Sequence, residues 1–115
     1  MTDEDKLKEQ ERRRTPRYAF IASAELIEEA SGVKMPIRVS ELSLNGCYLD
    51  TTNPLPKGTR VVVKIFTKAD FFEAPGSVVY SHPNLGMGVA FHDIKPFFQS
   101  VLKKWLLTSM LGRPS

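Results

Sequence analysis

Val33-Lys34-Met35-Pro36-Ile37-Arg38-Val39-Ser40 alternates apolar and polar side chains without a break. Successive side chains of a strand point to opposite faces, so a period of two buries Val33, Met35, Ile37 and Val39 and wets their neighbours. Pro36 has no N–H to give a ladder, which predicts a sheet edge or a bulge at that point. Upstream, Tyr18, Phe20, Ala22, Ala24 and Leu26 keep the same period within residues 17–28. Ala30-Ser31-Gly32 reads as the turn between the two runs, so they should pair as a hairpin. Downstream, Asn45-Gly46 signals a turn, because both residues tolerate positive φ. Cys47, Tyr48 and Leu49 open the next strand.

The pattern repeats to residue 91. Asn53-Pro54-Leu55-Pro56-Lys57-Gly58 is a rigid loop, and Arg60 to Phe66 is a β-branched run that suits a strand. Phe71 to Ser81 reads as a strand with a bulge or bend at Pro75-Gly76. His82-Pro83-Asn84 is a turn. Leu85 to Phe91 sets Gly86 and Gly88 on one face, which predicts a close backbone approach or a barrel corner. The final segment changes period. Phe98, Val101, Leu102, Trp105 and Leu106 recur at spacings of three and four, the stripe of an amphipathic helix over residues 95–110. Pro96 sits at its start, and Gly112 and Pro114 close it. That stripe requires an apolar partner, either the open end of a barrel or a second copy of the chain. Short strands with frequent turns and one terminal helix indicate an all-β fold, a small antiparallel barrel.

Composition narrows the function. The chain has 115 residues, 42% hydrophobic and 25% charged, which suits one packed domain. Its net charge of +3 is too mild to argue for DNA or RNA as a partner. The single Cys47 fits a reducing compartment and reads as a small core residue. No apolar run could cross a bilayer, so membrane insertion is not expected and a cytoplasmic location is. His82 and His92 lie ten residues apart with no cysteine or acid cluster at ligand spacing, so no metal site is expected. No catalytic set stands out, and an enzyme is not expected. Charge is instead focused at the N-terminus. Residues 1–11 hold five acids against two lysines and read as a solvated tail, whereas Arg12-Arg13-Arg14-Thr15-Pro16-Arg17 puts four arginines into six residues. Each guanidinium is a planar fork of donors suited to phosphate and to guanine edges. Pro16 biases Thr15 toward extended backbone, so the cluster reads as a loop feeding a strand.

Two motifs then stand together. Arg13-Arg14-Thr15-Pro16-Arg17 matches the RxxxR motif of PilZ domains, and Glu41-Leu42-Ser43-Leu44-Asn45-Gly46 is similar to that family's (D/N)xSxxG motif. Leu55-Pro56-Lys57-Gly58, Gly76-Ser77-Val78-Val79 and Gly86-Met87-Gly88-Val89-Ala90-Phe91 strengthen the likeness, which spans nearly all of residues 12–108. The resemblance implies a six-stranded antiparallel β-barrel over residues 18–91 with a C-terminal helix, preceded by a ligand-binding loop at 12–17. It also implies binding of cyclic di-GMP, often as a stacked pair, and relay of the signal to a protein partner in bacterial motility or biofilm control. On that likeness Arg13, Arg14, Arg17, Glu41, Ser43 and Gly46 form the binding set, with no cofactor beyond the ligand. The arginines could fork onto guanine O6 and N7 or onto phosphate. The Ser43 hydroxyl could donate to a phosphate oxygen, and Gly46 could admit a ligand close to the backbone. Glu41 departs from the Asp or Asn of the motif. It is one methylene longer, and it could accept from a guanine or close on Arg17. A ligand-independent adaptor of the same family is the alternative reading, and a homodimer through the helix is open.

Overall fold

A computed structural model describes residues 15–111. The alternating runs become six strands: β1 (Tyr18–Glu28), β2 (Lys34–Leu42), β3 (Gly46–Asp50), β4 (Arg60–Phe66), β5 (Phe71–His82) and β6 (Gly86–Phe91). They close into an antiparallel barrel in the order β1-β2-β3-β6-β5-β4, with β4 pairing back onto β1. Closure leaves no long free edge to template aggregation. Inward side chains fill the interior, with Leu26, Val39, Leu49, Val61, Val63, Ile65, Phe72 and Met87 wholly buried. Cys47 joins this core, and its burial pushes the thiol pKa up to about 12.

The helix α1 (Pro96–Met110) seals one end of the barrel. Pro96 fills its first turn, where no N–H is needed. Its buried stripe is Val101, Leu102, Trp105 and Leu106, and Phe98 is packed at the margin. The Trp105 ring stacks on Phe20 at 5.1 Å and lies 6.3 Å from Phe72. The barrel end therefore takes the stripe. Gly112 and Pro114, read as the closing signal, lie outside the described residues, as does the expected tail at 1–11.

The structure corrects one sequence expectation, at Pro75-Gly76, and sharpens two others. Pro36 carries no bulge. It lies on the part of β2 that extends past β3, where the missing donor faces no partner, while β1 pairs with it normally through Glu25. Pro75-Gly76 is likewise regular against β4, and the Pro75 carbonyl accepts from His92 N–H at 2.8 Å just beyond the end of β6. The register breaks fall elsewhere: between Ala19 and Ala22 in β1, between Val39 and Glu41 in β2, and between Val78 and Tyr80 in β5. Finally, Asn45-Gly46 does turn the chain, but neither residue has positive φ. Gly46 is needed for space, since a Cβ there would meet the Val89 carbonyl oxygen at 2.1 Å.

The breaks in β2 and β5 decide what faces outward. An unbroken strand would give Glu41 the inward face of Val39, and Tyr80 that of Val78. The extra residues, Ser40 and Val79, reverse the parity. Leu42 therefore points into the core, and Glu41 stands on the outer wall opposite Tyr48. Tyr80 stands on the same wall opposite Gly88, which also pairs with Tyr48. Glu41, Tyr48, Gly88 and Tyr80 thus form one transverse row over β2, β3, β6 and β5. The bulged Ser40 is tied down by donating to Asp50 Oδ1 at 2.8 Å, while Arg38 holds Asp50 Oδ2 at the same distance.

Candidate functional site

The row borders a cleft of about 370 Å³ on the outer wall of the barrel. Small residues, Gly46, Gly88 and Ala90, are among its lining. Thr15 and Arg17 bound it from the N-terminal strap, Glu41 and Ser43 from the end of β2, and Tyr48 and Tyr80 from β3 and β5. A second depression continues past Arg17, Glu41, Tyr48 and Tyr80 to His82.

Two side-chain contacts tie Thr15 and Arg17 to the barrel. Asn45 Nδ2 donates to Thr15 Oγ1 at 3.0 Å, and Arg17 Nη1 donates to the Tyr80 hydroxyl at 3.3 Å. Arg17 is exposed, and no ion pair joins it to Glu41 among the described residues. The Glu41–Arg17 closure open at the sequence level is therefore replaced by an arginine–tyrosine contact. Ser43 is buried, at 8% exposure, and its hydroxyl is occupied. It accepts from the N–H groups of Asn45 at 3.2 Å and Gly46 at 3.1 Å, and it donates to the Gly46 carbonyl at 3.3 Å. Its first work is to shape the turn between β2 and β3. Partial burial, with Tyr80, Asp50 and Glu41 nearby, holds the Tyr48 phenol above its usual pKa, so it stays neutral at physiological pH.

Of the six residues singled out from the motifs, Arg17, Glu41, Ser43 and Gly46 line this one cleft. Arg13 and Arg14 lie outside the described residues. Sequence reasoning missed Asn45, Tyr48, Tyr80 and His82. A signal for Glu41 was present: Val39 and Leu42 are both apolar at a spacing of three, which breaks the strand period. Among the described residues no group of three or more His, Cys, Asp or Glu is placed to hold a metal ion, and His92 instead shares a hydrogen bond with Ser77 at 2.8 Å. Nor is any helix among them long and apolar enough to cross a membrane.

The PilZ domain sequence model matches residues 11–107. This chain belongs to the PilZ domain family. Solved structures share the fold at low identity. The PilZ domain of YcgR from Escherichia coli, described with c-di-GMP, is 15% identical with a TM-score of 0.71 and covers 88% of this chain and 93% of its own. The PilZ domain of CeSA from a cellulose-synthesizing bacterium is 13% identical with a TM-score of 0.66, covering 86% and 100%. The Bacillus subtilis inhibitor of motility MotI/DgrA is 12% identical with a TM-score of 0.72, and this PilZ chain spans 53% of it. A comparison with curated proteins finds no match. The six-stranded closed barrel and C-terminal helix implied by the motifs are the fold that is observed.

Proposed function

We propose that this PilZ domain is a receptor for cyclic di-GMP, which it holds in the cleft between the strap and the barrel wall, and that it passes the signal to a protein partner. One observation carries the reading: Arg17 from one motif and Glu41, Ser43 and Gly46 from the other, far apart in sequence, border the same cleft. Arg17 supplies a fork for a phosphate or a guanine edge. Glu41 supplies an acceptor for guanine N1–H and N2–H₂. Ser43 contributes through the turn it shapes, beside Gly46 in the lining of the cleft. Arg13 and Arg14 add cations from the same loop, and binding would clamp residues 12–17 over the wall. The differential contacts of the bound state are the source of the switch. The role is that of a binding adaptor, not an enzyme. Because the barrel covers the helix stripe, a homodimer through α1 would rest on the outward Leu107, Met110 and Leu111.

Calorimetric titration with cyclic di-GMP tests this. The native chain should bind, and Arg17→Ala should weaken binding by about 10- to 100-fold, since a charge-assisted hydrogen bond contributes roughly 1.5–3 kcal/mol. No heat, together with an unchanged melting temperature at millimolar ligand, would overturn the proposal. The alternative is a ligand-independent adaptor, which the glutamate at position 41 favours. It predicts partner capture that is indifferent to Arg17→Ala.

A further inference from the structure

The core holds β2 at Val39 and Leu42 and leaves open which residue between them faces the cleft. Both are buried inside the barrel. Strict alternation cannot put residues three apart on one face, so either Ser40 or Glu41 has to be the extra residue of the bulge. Either choice buries Val39 and Leu42 equally well. If Glu41 is extra, Ser40 stands opposite Tyr48; if Ser40 is extra, Glu41 does. The second register is the one observed. Glu41 pairs with Tyr48 of β3 on one side and with Ala19 of β1 on the other, and Ser40 is skipped in both ladders.

A carboxylate separates the two registers. Asp50 lies directly across from Arg38. Arg38 grips Asp50 Oδ2 with two donors, Nε at 3.1 Å and Nη2 at 2.8 Å, and the other oxygen, Oδ1, accepts from the Ser40 hydroxyl at 2.8 Å. Opposite Tyr48, Ser40 would be a diagonal neighbour of Asp50, about 7–8 Å away, a span that only long side chains cross. The bond therefore draws Ser40 back and brings Glu41 forward to Tyr48. With the Arg38 side chain 62% exposed, the ion pair adds little to stability, and its consequence is geometric. We propose that Asp50 is a positioning residue for the cleft: by pinning Ser40 it makes Glu41 face the ligand, and so sets a preference for guanine over adenine. A carboxylate accepts from guanine N1–H and N2–H₂. Adenine presents an unprotonated N1 at the same place, so both bonds are lost and the carboxylate is left unpaired. A serine in its place would bond either base. The inference rests on the reading of the cleft as a cyclic di-GMP site, and adds what selects the base within it.

Two measurements test it, the first without ligand. Nuclear Overhauser contacts across the ladder should join Tyr48 to Glu41 in the native chain and to Ser40 in Asp50→Ala. Asp50→Asn keeps an oxygen that can accept from Ser40 and should keep Glu41 in place. Calorimetry with cyclic di-GMP and cyclic di-AMP then reads the choice of base. Asp50→Ala should lower the preference of the native chain for cyclic di-GMP by about tenfold or more, and Asp50→Asn should restore most of it. In a Glu41→Gln background, Asp50→Ala should change that preference by less than about twofold, because the two act through one contact. Melting temperatures confirm folding, and where Asp50→Ala does not fold, Ser40→Ala removes the same bond and leaves the ion pair. Contacts of Tyr48 that stay with Glu41 in Asp50→Ala would overturn the positioning role while the receptor reading stands. So would effects of Asp50→Ala and Glu41→Gln that multiply in the double variant. A native chain that binds neither dinucleotide would overturn the receptor reading, and the role in base choice with it.

Discussion

Glycine carries different duties at different positions of this barrel. At Gly46 a Cβ would run into the Val89 carbonyl oxygen, which belongs to the paired strand and cannot retreat. At Gly88 it would meet only a tyrosine ring, which can swing outward. Gly46→Ala should therefore cost about 3 kcal/mol or more, read as a lowered urea midpoint. Gly88→Ala should cost clearly less stability but should displace Tyr80 and weaken cyclic di-GMP binding. Equal stability losses in the two variants would refute this division. Cys47 gives a second residue-level prediction. Burial raises its thiol pKa from 9.0 to about 12, so the folded state keeps the neutral form longer than the unfolded state does. Its contribution is whole below pH 9 and drains away as pH rises from 9 toward 12. Urea unfolding at pH 8 and pH 10 should show a larger loss for the native chain than for Cys47→Ala. Lysines and tyrosines titrate in both proteins, and the difference between the two isolates the thiol.

Among the elements, α1 depends most on a single side chain. Its N-terminus has no side-chain cap, and its first turn contains no acid. Intrinsic helix stability is therefore modest, and docking must supply the rest. Trp105 is the wedge, placed against Phe20 of β1 and near Phe72 of β5. Trp105→Ala should cost about 3–5 kcal/mol. The measurement is a denaturant melt followed by circular dichroism, with Leu107→Ala, on the exposed face of the same helix, as the near-neutral control. The strands show the opposite balance. Alternation and β-branching were enough to find all of them and to place most of their ends within a few residues. The bulge or bend expected at Pro75-Gly76 is absent, and Pro36 takes the edge position that was the other reading there. An extra residue in one strand is defined only against its partner, and a proline that breaks a ladder has no effect where the ladder has already ended.

At the scale of the molecule, closure through β1 and β4 joins residues 23–28 to residues 61–66 and makes every strand depend on two neighbours. The helix sits on that closed end, so it has no seat until the barrel exists. Unfolding should be a single cooperative event. Trp105 fluorescence reports the helix seat and far-ultraviolet circular dichroism reports the strands, and their thermal transitions should coincide within a degree or so. An earlier fluorescence transition would show that α1 undocks from an intact barrel and that the two are separate units.

The sequence alone determined the strands, the helix with its buried stripe, the antiparallel barrel class and the two motifs that mark the family. These are legible because each rests on local chemistry, side-chain period and turn residues, which survive in a one-dimensional reading. It also supplied four residues that the described structure brings to one cleft: Arg17, Glu41, Ser43 and Gly46. Only the tertiary structure decided that Glu41 and Tyr80 face outward, that the Ser43 hydroxyl is taken up by its own turn, and that three aromatic rings lie beside Arg17. The physical reason is parity. One residue added to a strand moves every later side chain to the other face, and where it is added depends on the register of strands distant in sequence.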